Sequence, residues 1–296
     1  MEKTAILIVN GFDRRGKWGK FNTDEARSFP WIDICLRQIE RHSKLSNYEI
    51  YVYDNTRLKE HRQIMHKYPK VRVFPSELLV QLSRPLEQQF PHHVTNFFMQ
   101  RRIEMWHQDA LDFLVSRLGN EIEYIITLDT DAFPIQDGWI ETLVGYLKDG
   151  SRLAGIYLDE TAPKIQPFIH VSCLCIRKQD FFNLGLSFKM GKAQDVSQNI
   201  TLELLKRQAK ITGLRRSNAN NVHFLLGGVY GNLVYHHGAG SRKARFHTST
   251  DTTEDERIRV KLRNAVFQNL DAVVEELTAC KYETLKGKTE KYLVIL

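Results

Sequence analysis

The strongest constraint on this chain is a recurring one: short apolar runs rich in β-branched and aromatic residues, each stopped by turn residues, with helix-period segments between them. Thr4-Ala-Ile-Leu-Ile-Val9 ends in Asn10-Gly11, Glu49-Ile-Tyr-Val-Tyr53 in Asp54-Asn55, Val71-Arg-Val-Phe74 in Pro75, and Tyr124-Ile-Ile-Thr-Leu128 in Asp129. Runs this short and this apolar read as strands covered on both faces. The segments between them carry helical spacing. Trp31, Ile34, Cys35, Gln38, Ile39 and His42 form one stripe after Pro30, and residues 96–118 place Phe98, Met105, Trp106, Asp109, Ala110, Phe113 and Leu114 on another, ending at Gly119-Asn120. Strands alternating with helices argue for a parallel sheet. Further along, helices are predicted over 139–147 and 195–206, and strands over 153–158, 169–176 and, broken by glycines, 224–235. A long terminal helix is predicted over 254–280, opened by a Thr253-x-x-Glu256 capping box. No internal repeat or linker divides the chain, so the expectation is one α/β domain over 1–250 with a helical extension over 251–296 packed on it.

With 296 residues, 42% hydrophobic and 26% charged, the chain can bury a sizeable core and lacks the composition of a disordered or collagenous protein. No apolar run approaches the ~20 residues of a membrane-spanning helix, and the apolar part of the opening segment is too short for a signal peptide. A cytoplasmic protein without a membrane span is the expectation, with peripheral membrane contact left open. The cysteines at 35, 173, 175 and 280 have neither disulfide-scaffold density nor paired C-x-x-C zinc spacing, and read as reduced thiols. The net charge of +7 points to an anionic partner. Its distribution is uneven: Lys206, Arg207, Lys210, Arg215, Arg216, Arg242, Lys243 and Arg245 stand between Leu204 and Thr250, with no Asp or Glu among them.

Asp129-Thr130-Asp131 carries the clearest chemical signal. In an open α/β sheet ligands bind beyond the carboxyl ends of the strands, and a residue directly after a buried strand is displayed there. Two carboxylates one residue apart suit Mg2+ or Mn2+, hard cations that take one or two protein carboxylates and complete their shell with phosphate oxygens and water. A strand-ending turn whose Asp side chains bond the backbone has the same spacing. The local pattern leaves both readings open.

The wider pattern resembles the GT-A nucleotide-sugar glycosyltransferases, particularly the large inverting family 2, over residues 6–241. The resemblance rests on Ile6-Leu-Ile-Val-Asn10 as first strand, Glu49-Ile-Tyr-Val-Tyr-Asp-Asn55 as second strand with its terminal Asp, and Ile125-Ile-Thr-Leu-Asp-Thr-Asp131. Ser172-Cys-Leu-Cys-Ile-Arg177 through Leu184-Gly-Leu-Ser-Phe188 is similar to the family's acceptor-side region, and Val234-Tyr-His-His-Gly-Ala-Gly-Ser241 to its late histidine-bearing strand end. It implies a Rossmann-like, mostly parallel mixed sheet flanked by helices, a nucleotide-diphosphate sugar as donor, and a Mn2+ or Mg2+ ion. It further implies that Asp54 meets the nucleobase, Asp129 the ribose or a metal-bound water, and Asp131 the metal directly. Asp54 also fits a plain turn residue before Asn55. The third metal ligand would be His236, at the strand end, in preference to His237. Imidazole ligation favours Mn2+ over Mg2+.

Sugar transfer from a nucleotide diphosphate passes through an oxocarbenium-like transition state and leaves charge on the diphosphate. It needs cations on the leaving group and, for inversion, a base on the acceptor hydroxyl. The family's base is an Asp before an acceptor-side helix, which the resemblance assigns to Asp195, although Gln194 stands where an acidic neighbour is commoner. Asp195 also reads as a helix N-cap, with Gln198 completing a capping-box pattern. Arg242 and Lys243, with Arg245, are the candidate cations for the diphosphate, and His170 and Ser172 are candidates for the acceptor site. His107 and Asp112 face either the crevice or solvent, and residues 13–17 either close over the nucleotide or form a polar surface loop.

A retaining mechanism stays open, because His237-x-x-Gly240-x-x-Lys243 is similar to the late motif of the glycogenin-like enzymes and selects the other histidine. A haloacid-dehalogenase-type phosphotransferase also sets D-x-D after a strand, but at the start of its domain and with a late acidic pair for Mg2+, and the latter half of this chain has no Asp-Asp pair. A noncatalytic nucleic-acid-binding module would use the basic stretch, which has no interleaved aromatics and no helix-turn-helix or zinc signature. The basic stretch exceeds what one diphosphate needs, so an anionic acceptor, either a lipid-linked glycan or nucleic acid, belongs to the expectation.

Overall fold

The first predicted strand lies at the centre of the sheet. In the computed structural model, which describes residues 2–11, 23–44, 46–76, 105–159, 166–191, 194–218, 227–238, 253–279 and 293–296, β1 (Lys3–Asn10) lies between β2 (Tyr48–Asp54) and β4 (Ile122–Asp129), parallel to both. β3 (Val71–Pro75) continues the parallel set beyond β2. β6 (Leu153–Leu158), β7 (Phe168–Arg177), β8 (Ile211–Leu214) and β11 (Leu293–Ile295) complete a sheet in the order β11-β8-β6-β7-β4-β1-β2-β3. β7 runs antiparallel between β4 and β6, and β11 antiparallel to β8. The result is a mixed, mostly parallel sheet flanked by helices, with a C-terminal helix.

The alternation within β1 explains the layers. Ile6 and Ile8 point into one core, with α2 (Trp31–His42), α5 (Trp139–Lys148) and the terminal α8 (Thr253–Ala279). Ala5, Leu7 and Val9 point into the other, with α4 (His107–Val115), α6 (Lys178–Asn183) and α7 (Gln198–Lys206). Two short helices, α1 (Thr23–Ser28) and α3 (Lys59–Met65), flank the β1–β2 edge. Cys35, Cys173 and Cys175 are buried in the first core, where desolvation pushes their thiols far up and leaves them protonated. Cys280 lies outside the described residues.

Several boundaries differ from expectation. The helix predicted over 96–118 runs from His107 to Val115, its earlier part lying outside the described residues. The helix predicted from residue 195 begins at Gln198. Of the one or two glycine-broken strands expected over 224–235, the described residues form two, a hairpin of β9 (Gly228–Tyr230) and β10 (Val234–His236), because Gly231 and Asn232 adopt left-handed backbone at φ 58° and 53° and reverse the chain. β10 also pairs with β5 (Ala132–Pro134), making a small antiparallel sheet in the order β5-β10-β9. The short β5, β8 and β11 carry too few residues for a periodicity to register. Among the described residues no helix is long and apolar enough to cross a membrane.

Gly155 provides a test of the β6–β7 contact. Its φ is +153°, and an added Cβ would lie 2.1 Å from the Cys173 carbonyl oxygen, a backbone atom that cannot rotate away. Gly155→Ala is expected to destabilise the protein by about 3 kcal/mol, seen as a lowered midpoint in thermal or urea unfolding.

Candidate active site

Strand register builds the site. Parallel pairing sets Asn10 beside Asp54 and Val9 beside Asp129, so β1, β2 and β4 end at one edge. The chain turns at Thr130 and Asp131 and re-enters a strand at once as β5. β10 runs antiparallel to β5 with Tyr235 opposite Phe133 and His236 opposite Ala132, and the His237 N–H donates to the Asp131 carbonyl at 2.9 Å. These pairings bring a histidine from far down the chain onto the acidic pair.

His236 Nε2 lies 3.8 Å from Asp131 Oδ1 and 3.9 Å from Asp129 Oδ2. One ligand atom from each of the three residues lies within 4.8 Å of the others, and Asp131 and His236 are buried. An octahedral shell with bonds of about 2.1 Å sets cis ligands about 3 Å and trans ligands about 4 Å apart, so this group fits one divalent ion with small adjustments. Its mixed oxygen and imidazole donors suit a divalent cation.

The surroundings hold this group in place. The Cys35 thiol donates to the Ala132 carbonyl at 3.4 Å, bracing the turn from the α2 side. The His170 ring stacks on His236 with centroids 5.7 Å apart. The Ser172 N–H donates to His170 Nδ1 at 3.1 Å, with Ser172 Oγ 2.8 Å from the same nitrogen. A backbone N–H can only donate, so Nδ1 accepts and the neutral ring carries its proton on Nε2. At the start of α4, His107 Nε2 lies 3.4 Å from Asp129 Oδ1. Asp112 on the same helix instead accepts from the Phe188 N–H at 2.9 Å, and burial raises its carboxyl pKa.

His237 takes no part in the ligand group. Successive residues of a strand face opposite ways, and its ring is fully buried, stacked 4.5 Å from Trp31 with Nδ1 2.9 Å from the Tyr235 hydroxyl. Desolvation pushes its pKa down to about 3, so it is neutral. Of the two histidines proposed from the sequence as metal ligands, the structure sets His236 beside the aspartates and His237 in the core.

Asp54 is also separate from the acidic pair. Its carboxylate is fully buried and engaged on both oxygens: Asn10 Nδ2 at 3.1 Å, the Thr56 N–H at 3.1 Å and the Thr56 hydroxyl at 2.6 Å meet Oδ1, and Arg62 Nε at 3.1 Å meets Oδ2. Direct contact with a nucleobase would require one of these donors to yield.

The N-cap reading of Asp195 is corrected. Ser197, at φ 69°, holds the N-cap position of α7 without a side-chain capping bond, and Asp195 lies two residues before it, though Gln198 Oε1 does accept its N–H at 3.1 Å. The Asp195 carboxylate accepts from the Val196 N–H at 2.7 Å. The Ser197 hydroxyl donates to the Ile169 carbonyl at 2.7 Å, and the Ile169 N–H donates to Thr201 Oγ1 at 3.0 Å. These bonds fasten the start of α7 to β7 one residue from His170.

Arg242, Lys243, Arg245 and the loop 13–17 lie outside the described residues. The described members of the basic stretch each have a partner. Lys206 and Arg207 pair with Glu203, Lys210 donates to the Asp149 carbonyl, Arg215 pairs with Asp159, and Arg216 is buried with its Nε on Asn218. The sequence reading had no signal for the bracing role of Cys35, whose position on the α2 stripe marked it only as core.

No protein-family model matches the sequence, and no curated protein matches it. Among solved structures, S. aureus TarS 1-349 in complex with UDP-GlcNAc is similar at 10% identity and a TM-score of 0.41, over 68% of this chain and 52% of that one. A mannosyltransferase from Pyrobaculum calidifontis in complex with GDP-Man and Mn2+ is similar at 13% identity and 0.41, over 66% and 49%. The 4-diphosphocytidyl-2C-methyl-D-erythritol synthase of Anaerococcus prevotii is similar at 12% identity and 0.47, over 90% and 97%. The chain thus spans about half the length of the first two.

Titration of Mn2+ followed by electron paramagnetic resonance tests the ligand group. Asp131→Asn and His236→Ala are expected to weaken binding by at least about tenfold. His237→Ala is expected to lower the thermal midpoint while leaving Mn2+ affinity within about twofold, because its ring fills core space.

Proposed function

We propose that this protein is a metal-dependent glycosyltransferase, moving a sugar from a nucleotide-diphosphate donor to an acceptor hydroxyl with inversion at the anomeric carbon. The observation that carries this reading is the convergence of Asp129, Asp131 and His236 at the carboxyl edge of the parallel strands. A divalent ion held by Asp131, His236 and Asp129 supplies positive charge against the departing diphosphate.

The chain's own residues perform the remaining tasks. Asp129, the less buried carboxylate of the pair, also faces the ribose, with His107 on one of its oxygens. Asp54, held by Asn10, Thr56 and Arg62, shapes the edge that receives the nucleobase. Arg242 and Lys243 are assigned to the diphosphate. Asp195 takes the proton from the acceptor hydroxyl; its attachment through Ser197 to the strand carrying His170 and Ser172 supports a shared acceptor corner. His170 offers its Nε2–H to that acceptor, and the buried Ser172, its hydroxyl on His170 Nδ1, orients that ring. Inversion is preferred to retention because the retaining motif would enlist His237, whose ring is packed against Trp31.

A thermal-shift screen of UDP-, GDP-, dTDP- and ADP-sugars with and without Mn2+ tests the reading, since a ligand at 100 times its Kd stabilises the native state by about 2.7 kcal/mol. A Mn2+-dependent rise with at least one donor is expected, and no rise with any would overturn the assignment. With that donor, Asp195→Asn is expected to keep binding and lose transfer by about 10^2- to 10^4-fold. NMR of the product is expected to show an anomeric configuration opposite to the donor's.

A further inference from the structure

Trp106 directly precedes the histidine that meets Asp129, and no role assigned so far uses it. It is 48% exposed and immediately precedes His107, whose Nε2 lies 3.4 Å from Asp129 Oδ1. The other tryptophans among the described residues, Trp31 and Trp139, are 4% and 0% exposed and belong to the core. An indole can bury roughly 150–250 Å2, and this one leaves about half of its surface in water, one residue from His107.

Its backbone is held on both sides. The Met105 carbonyl accepts from Asn55 Nδ2 at 3.0 Å, and Asn55 is a buried residue directly after β2. The Trp106 carbonyl accepts the Ala110 N–H at 2.9 Å, within the first turn of α4. The backbone that carries the indole is therefore fixed between the ends of β2 and β4. A second exposed apolar side chain, Met190 at 41%, belongs to a segment tied to the same helix: its N–H donates to Gln108 Oε1 at 3.1 Å, and the Phe188 N–H donates to Asp112. This segment leads on to Asp195.

A ligand for such a side chain needs one flat apolar face and polar groups around its edge. A pyranose ring has both, with axial C–H groups to lie on the indole and hydroxyls to reach neighbouring acceptors and donors. Resting on the glycosyltransferase reading, we propose that Trp106 is the stacking platform for a pyranose ring at this site, setting the face that the sugar presents to Asp129 and Asp131, with Met190 bordering the same ring. The ring is that of the donor or that of the acceptor, and the experiment separates the two.

The test is saturation-transfer NMR on the full chain with Mn2+, using methyl pyranosides of glucose, galactose, mannose and N-acetylglucosamine as free rings, and UDP, UDP-glucose and GDP-mannose as nucleotides. Wild-type protein is expected to saturate the C–H protons of one pyranose face. Trp106→Ala is expected to weaken that binding about five- to tenfold, and Trp106→Phe to restore most of it, as an aromatic contact requires. Circular dichroism of each variant checks that the fold is kept. Loss confined to free pyranosides identifies the acceptor ring, and loss confined to the sugar of a nucleotide sugar identifies the donor ring. The proposal is overturned by unchanged pyranose saturation in Trp106→Ala, by no pyranose saturation in wild type, or by a loss confined to nucleobase protons. Unchanged pyranose saturation in Trp106→Ala beside a Mn2+-dependent nucleotide response defeats the platform and leaves the glycosyltransferase reading standing. Pyranose binding lost in Trp106→Ala, with no nucleotide response in wild type, does the reverse.

Discussion

The pairing of β10 with β5 is the contact on which the rest of the site depends. Without it, Asp129 and Asp131 are two like charges at a strand end. With it, His236 lies against both carboxylates and His170 stacks on His236. Strands this short offer few ladder hydrogen bonds, so burial of their side chains must hold them. Phe133 and Tyr235, opposite one another across the pair, are fully buried with ring centroids 5.1 Å apart, and Val234 joins the same core. His237 extends that core against Trp31, so the two adjacent histidines do different work: one completes the ligand group and the other anchors the strand that carries it.

The opposite side of the site is secured by polar contacts at strand ends. Asn10 Nδ2 reaches Asp54 and also lies 3.2 Å from His61 Nδ1, while His61 Nε2 donates to the Ala26 carbonyl at 3.0 Å. Because a carbonyl can only accept, the proton of neutral His61 is on Nε2 and Nδ1 receives the Asn10 amide. The network therefore links β1, β2, α1 and α3 with each donor matched to an acceptor, as a buried polar cluster must be. Asn55 adds α4 by holding Met105. Elements distant in sequence are thus locked at the edge where the acidic pair emerges, which keeps the geometry there fixed.

Charge is arranged more locally than the composition suggests. Most described cations of the 204–250 stretch are matched by nearby carboxylates or carbonyls. Local pairing of exposed charges screens them from long-range partners. In the proposed function the positive charge would come from a divalent ion held at the acidic pair and from Arg242 and Lys243.

Periodicity and apolar content are local properties, so strands β1 to β4, β6 and β7 and helices α2, α5, α7 and α8 were legible in the sequence by itself, as were Asp129-Thr130-Asp131 and a histidine pair at a late strand end. The sequence thereby determined the class of fold and the types of side chain available for chemistry. The tertiary structure decided which of them meet. It set His236 rather than His237 beside the aspartates, turned His107 toward Asp129 while Asp112 took up the Phe188 amide, and left Asp195 outside its helix. These choices follow from the register of strands far apart in the chain, where a shift of one residue sends a side chain to the opposite face. That register is set by packing summed over nonlocal contacts, which no window of sequence contains.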